Sequence, residues 1–159
     1  MELPSGRRVT YVFFDGSHPA PSRTHSPFGP FPRAVDLYGD GSIYLVDAPG
    51  HAPGHLIAAT RVGVNTFLFL SGDACHVQES YRPGTRIVST VMHAFPEVAR
   101  ETVGRLKTLD QEYGNAIVIL AHEKEKAEEM PLFPDRVNEW AMGGARKRVA
   151  EIASRAACI

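Results

Sequence analysis

Three places in the sequence hold side chains able to bind a metal or move a proton. The first is the loop Asp47-Ala48-Pro49-Gly50-His51-Ala52-Pro53-Gly54-His55, where two glycines and two prolines confine a pair of histidines. The second is Ser71-Gly72-Asp73, an aspartate directly after an apolar run. The third is His122, directly after the apolar run Ala116 to Ala121. Neutral imidazole and carboxylate are the donors that suit zinc and neighbouring divalent ions. Each place also has an ordinary reading. A histidine after a strand is usually a hydrogen-bonding loop residue, Asp73 could cap a turn, and the Pro-Gly pairs could be turn chemistry alone.

The chemistry is only available if rigid elements bring these residues together, and strand ends do that at little entropic cost. The pattern predicts strands at Ala34 to Leu37, Ser42 to Asp47, His55 to Thr60 and Thr66 to Ser71. Tyr38-Gly39-Asp40-Gly41 reads as the turn between the first two. A helix is predicted over Phe95 to Tyr113, with Phe95, Ala99, Thr102, Leu106, Leu109 and Tyr113 as its buried stripe; Asp110 falls off the stripe, towards water. Ala116 to Ala121 is predicted as a buried strand. Pro134 to Ala157 reads as helical, broken near Gly143-Gly144. Val9 to Phe14 reads as a further strand, and the proline-dense segment 17–32 as a long surface loop, since proline removes backbone donors. Strands followed by helices fit a mixed sheet with helices on one face.

At 159 residues the chain is the size of one domain. The formal net charge of -1 offers no field to steer nucleic acid or an anionic membrane. The apolar runs are too short to cross a bilayer, and the N-terminal residues do not read as a signal peptide. Two cysteines, Cys75 and Cys158, are too few for a disulfide scaffold. A soluble, cytoplasmic protein is the expectation.

Residues Gly39 to Cys75 and Phe95 to Trp140 resemble the second half of the metallo-β-lactamase superfamily. The likeness is strongest to the lactonases that open acyl-homoserine lactones and to related fungal proteins. It rests on the Pro-Gly-His-x-x-Gly-His loop at Ala48 to His55, then Gly72-Asp73, then a helix and a strand ending in Ala121-His122. The resemblance implies an α+β, αββα fold represented by its C-terminal half, one partial domain over 1–159 with helices on one face of a mixed sheet. It implies His51 as a ligand of one zinc ion, Asp73 as a bridge between two, and His122 as a ligand of the second. His55 would tie the loop down without touching the metal. His76 stands where some bacterial lactonases place a substrate-contacting tyrosine, which makes Asp73 and His76 the candidate catalytic pair. Tyr81, Arg82 and His93 could line the same face or be solvated loop residues.

One defining motif of that superfamily, His-x-His-x-Asp-His, does not occur in this sequence. The chain retains one dedicated ligand per metal plus the bridge, whereas tight zinc sites use about three or four protein ligands. Two readings follow. In one, the chain belongs to a metal-dependent hydrolase that opens lactones or esters when complete. In the other, it is a degenerate or truncated structural protein, whose exposed sheet face self-association or a partner would cover. A thiol hydrolase built on Cys75 with His76 or His93 is a third reading, weakened because adjacent residues rarely orient as nucleophile and base.

Overall fold

Short runs of β-branched and aromatic residues, separated by glycine turns, build a six-stranded sheet in a computed structural model that describes residues 24–82, 84, 86–132, 134–149 and 151 together with Val12 and Phe14. The strands are β1 (Ser26–Phe28), β2 (Phe31–Asp36), β3 (Ile43–Asp47), β4 (Leu56–Arg61), β5 (Phe67–Leu70) and β6 (Ala116–Ile119), adjacent in that order. Neighbours pair antiparallel from β1 to β5, while β5 and β6 run parallel. A parallel pair needs a crossover, and α1 (Pro96–Glu112) supplies it.

The turn between β2 and β3 is closed by Asp36, whose carboxylate accepts the backbone N–H groups of Gly39 and Gly41, both at 2.8 Å. Pro96 opens α1 in the first turn, where its missing donor costs nothing. Ala99, Val103, Leu106 and Leu109 of α1 pack against Ala34, Val46, Ile57, Phe69 and Val118 of the sheet, the main core. The mixed sheet backed by a helix is thus the expected fold class. A smaller cluster joins Leu68, Ile117 and Ile119 to Ala141, Ala145 and Val149. Those last residues follow α2 (Lys124–Glu129) and α3 (Val137–Trp140) in the chain. The expected break falls at Gly143 and Gly144, whose backbone is non-helical.

Phe95 and Tyr113, expected in the buried stripe of α1, flank the helix and are exposed, and two further expectations need correction. Residues 17–23 of the expected loop, and most of the strand over Val9 to Phe14, lie outside the described residues, but its remainder forms β1 and the start of β2. Pro27 is tolerated because β1 is an edge strand, and Pro32 because pairing of β2 with β3 begins only at Ala34. Apolar contact decides the outcome: the Phe28 ring stacks on Tyr44 at 4.3 Å and meets Phe67 edge-on at 5.1 Å. The second correction is Asp110, which is buried rather than facing water. Arg82 explains it, donating through Nε to Asp110 Oδ2 at 2.5 Å and through its terminal nitrogen to Oδ1.

Candidate metal centre

The end of the β5–β6 pair brings the second and third chemical signals together. Ser71 N–H donates to Ile119 O at 2.8 Å, and Ala121 N–H donates to Gly72 O at 3.1 Å. The parallel ladder therefore continues past both strands and sets Asp73 beside His122, with Nε2 of the histidine 2.8 Å from Oδ1 of the aspartate. Beyond His122, a buried pair holds the chain in place. Lys126 Nζ donates to Glu123 Oε2 at 2.6 Å, and the same oxygen accepts Leu120 N–H at 3.1 Å.

The histidine loop is clamped from the other side by the start of α1. Three successive carbonyls are taken: Pro49 O accepts Thr102 Oγ1–H at 2.6 Å, Gly50 O accepts Phe95 N–H at 2.9 Å, and His51 O accepts Ala94 N–H at 2.9 Å. Gly50 sits at φ +127° with its α-carbon against the Ala99 backbone, so a side chain there has no room. The clamp leaves His51 Nε2 3.8 Å from Asp73 Oδ2. His55 links loop and aspartate. Its Nδ1 lies 3.2 Å from Ala48 O, and its Nε2 accepts Asp73 N–H at 3.2 Å, which assigns the proton to Nδ1. An imidazole so occupied at both nitrogens positions the loop and has no nitrogen free for a metal.

His76 places its Nε2 4.0 Å from Asp73 Oδ1. One donor atom each from Asp73, His76 and His122 lies within 4.8 Å of the other two, the spacing a single ion would draw together. Among the described residues this is the one such cluster. The donors fit a borderline divalent ion such as zinc: imidazoles with one carboxylate. Burial holds His76 and His93 below the ordinary imidazole pKa, with neighbouring imidazoles adding to it for both, so they are neutral near pH 7, as ligands must be.

His93 was open to a reading as a solvated loop residue, and it is not one: it is 6% exposed and stands 4.7 Å from His76 between ring centroids. No sequence pattern marks its burial, because it precedes α1 in an irregular segment. Tyr81 and Arg82 do not line the site. Tyr81 is buried in the main core and Arg82 is committed to Asp110. Asp47, within the histidine loop, accepts Arg33 Nε–H at 2.9 Å and belongs to the sheet.

A cavity of about 390 Å³ opens beside the cluster, with His76, His93 and His122 on its wall and Val77, Val88 and Val103 among the apolar lining. Cys75 touches this cavity but cannot serve as a nucleophile. It is 1% exposed, its Sγ donates to Val77 O at 3.1 Å, and burial pushes its thiol up to about 11. At pH 8 roughly one thiol in a thousand is then ionised. Carbamidomethylation of Cys75, followed by peptide mass spectrometry at pH 8, is expected to run at least about 100-fold slower in the folded chain than in urea. Equal rates would show the thiol is accessible after all.

No protein-family model matches the chain. Metallo-hydrolase mfmC of Annulohypoxylon moriforme is 32% identical over 144 residues, covering 67% of this chain and 38% of that protein. The N-acyl homoserine lactonase AttM of Azorhizobium caulinodans is 36% identical over 94 residues, covering 57% of this chain and 33% of its own length. The chain thus spans little more than a third of these relatives. Among solved structures, a variant of Bacillus thuringiensis AiiA with N-decanoyl-L-homoserine at its active site aligns with a TM-score of 0.51 and 21% identity, covering 64% of this chain and 38% of that one. That structural likeness speaks for the fold. No helix among the described residues is long and apolar enough to cross a membrane. The histidine loop, the Gly-Asp and Ala-His strand ends, the mixed sheet and these partial-length homologies together place the chain in the metallo-β-lactamase and acyl-homoserine-lactonase superfamily.

Proposed function

We propose that this chain carries the metal centre of a metal-dependent hydrolase acting on lactones or related esters. The convergence of Asp73, His76 and His122 at the end of the β5–β6 pair carries the reading. The lactonase named among the relatives favours lactones as the substrate class. Asp73, His76 and His122 would hold a divalent ion, zinc by donor type, with His51 next to the same carboxylate. Such an ion supplies Lewis acidity to an ester carbonyl and to water.

The remaining work falls to the chain's own groups. Asp73 contributes the negative charge that offsets a dication, and its backbone N–H, held by His55, keeps the carboxylate turned towards the imidazoles. His76 stands where the cluster meets the cavity, so it would both hold the ion and face the substrate's acyl group. The valines of the cavity wall take up apolar substrate and exclude bulk water, while Arg86 and Ser89 supply the polar groups that orient it.

The test is hydrolysis of acyl-homoserine lactones, γ-lactones and aryl esters by chain freed of metal and by the same chain reloaded with zinc. Lactone opening is expected only in the reloaded chain and is expected to be lost in His76→Phe along with bound zinc. Hydrolysis that ignores both chelator and His76→Phe would remove the proposal.

A further inference from the structure

His51, His76 and His93 form a triangle of imidazoles that the triad above does not account for. Their ring centroids are 5.2 Å apart for His51–His76, 5.5 Å for His51–His93 and 4.7 Å for His76–His93. An ion bound tetrahedrally at about 2.1 Å from three imidazole nitrogens holds the ring centroids about 5 Å apart. The ring centroids are spaced as around such an ion, with rings drawn from the histidine loop, the turn after Asp73 and the segment before α1, although their nitrogens do not all come within 4.8 Å of one another as the donor atoms of Asp73, His76 and His122 do. None of these pairs is a ring stacked flat on its neighbour; the interplanar angles are 63°, 88° and 57°.

A second observation comes from hydrogen bonding. Nδ1 of His51 and Nδ1 of His93 are both buried without a partner. An unpartnered buried polar nitrogen is costly, and native proteins rarely leave two in one place. His93 packs against the rings of His51 and His76, and among the described residues no carboxylate stands within 4.0 Å of its nitrogens as Asp73 does for His51, His76 and His122. Buried imidazole nitrogens left without a partner are what a cation would organise.

We infer that His93 is a metal ligand of this chain, acting with His51 and His76 as an imidazole side of the centre next to Asp73 and His122. The inference rests on the metal-centre reading above and extends it. The chain lacks the His-x-His-x-Asp-His run, and His93 offers a donor from within its own residues. A centre of four imidazoles and one carboxylate prefers zinc, cobalt, nickel or copper over magnesium or calcium, which take oxygen ligands.

The experiment uses the full chain loaded with cobalt(II). Each coordinated imidazole gives one exchangeable N–H proton signal shifted far outside the normal NMR range, so the spectrum counts histidine ligands. His93→Gln keeps a polar side chain of similar reach, and His93→Phe keeps a ring; metal-free thermal melts check that each variant folds. The expected result is one shifted N–H signal fewer in both variants and cobalt affinity weakened at least about 10-fold. Magnesium at the same concentration should not displace the cobalt. An unchanged signal count and affinity in His93→Gln, with binding still lost in Asp73→Asn, overturns this inference and leaves the metal centre standing. No cobalt bound by the unaltered chain overturns both.

Discussion

Asp73→Asn is expected to weaken zinc binding at least about 100-fold while leaving the metal-free fold almost untouched. Asp73 is the only carboxylate in the cluster, and its two oxygens face His122, His76 and His51 at 2.8, 4.0 and 3.8 Å. Asparagine keeps the shape and the backbone N–H to His55 but removes the charge, so a dication would enter a site of neutral donors alone. Stability without metal should change by less than about 1 kcal/mol, because His122 is largely exposed and the half-buried Asp73 is still open to water, and such pairs contribute little. Calorimetric zinc titration and thermal melts in chelator measure the two effects separately. A variant that binds zinc as before would place the ion elsewhere.

The second large effect is structural. Gly50→Ala is expected to destabilise the chain by at least about 3 kcal/mol, enough to threaten folding altogether. Gly50 sits at φ +127°, a conformation that side chains avoid, and an added Cβ would lie 2.4 Å from both the Cα and the N of Ala99. Backbone cannot step aside as a flexible side chain can. Relief would require parting the loop from α1, which breaks the carbonyl contacts at Pro49, Gly50 and His51 and lets His51 drift from Asp73. Gly54→Ala is the control. Its φ is also positive, at +73°, but nothing lies within 4 Å, so only the local backbone cost of about 1–2 kcal/mol applies. Urea denaturation of the two variants should separate them clearly; equal losses would mean that the close approach of loop and helix is not what constrains Gly50.

The contrast shows what kind of information the residues carried openly. Strands β2 to β6 and helix α1 were legible because each pairs a strong local pattern with punctuation, such as Gly114-Asn115 after α1 and Gly72-Asp73 after β5. The ends of β5 and β6 were legible as chemical positions for the same reason: an apolar run stopping at a ligand-type residue. Strand β1 was hidden because its prolines argue against pairing, while the aromatic contacts of Phe28 that favour it are long-range. The role of Asp110 was hidden likewise, since its partner Arg82 lies 28 residues away in sequence. Helix α2 gave no periodic signal in so short a run, and the burial of Lys126 depends on Glu123 turning back to meet it.

The candidate site divides the same way. His51, Asp73 and His122 stand out by motif and position, and the structure sets the two histidines beside the Asp73 carboxylate. His76, which the resemblance offers as a substrate contact, lies 4.0 Å from Asp73 and joins it and His122 in one cluster of metal-type donors. His93 stood in an irregular stretch with no pattern to mark it, and only the packing of that stretch onto the histidine loop, through Ala94 N–H to His51 O, brings its ring to His76. Proximity of this kind is decided by tertiary contacts between loops, which no local pattern encodes.

The most direct test is a crystal of this chain soaked with zinc and measured on both sides of the zinc absorption edge. The account predicts an anomalous peak within bonding distance of the Asp73 carboxylate and the His76 and His122 rings, absent from crystals of Asp73→Asn. A peak on other residues, or none at saturating zinc, would contradict it.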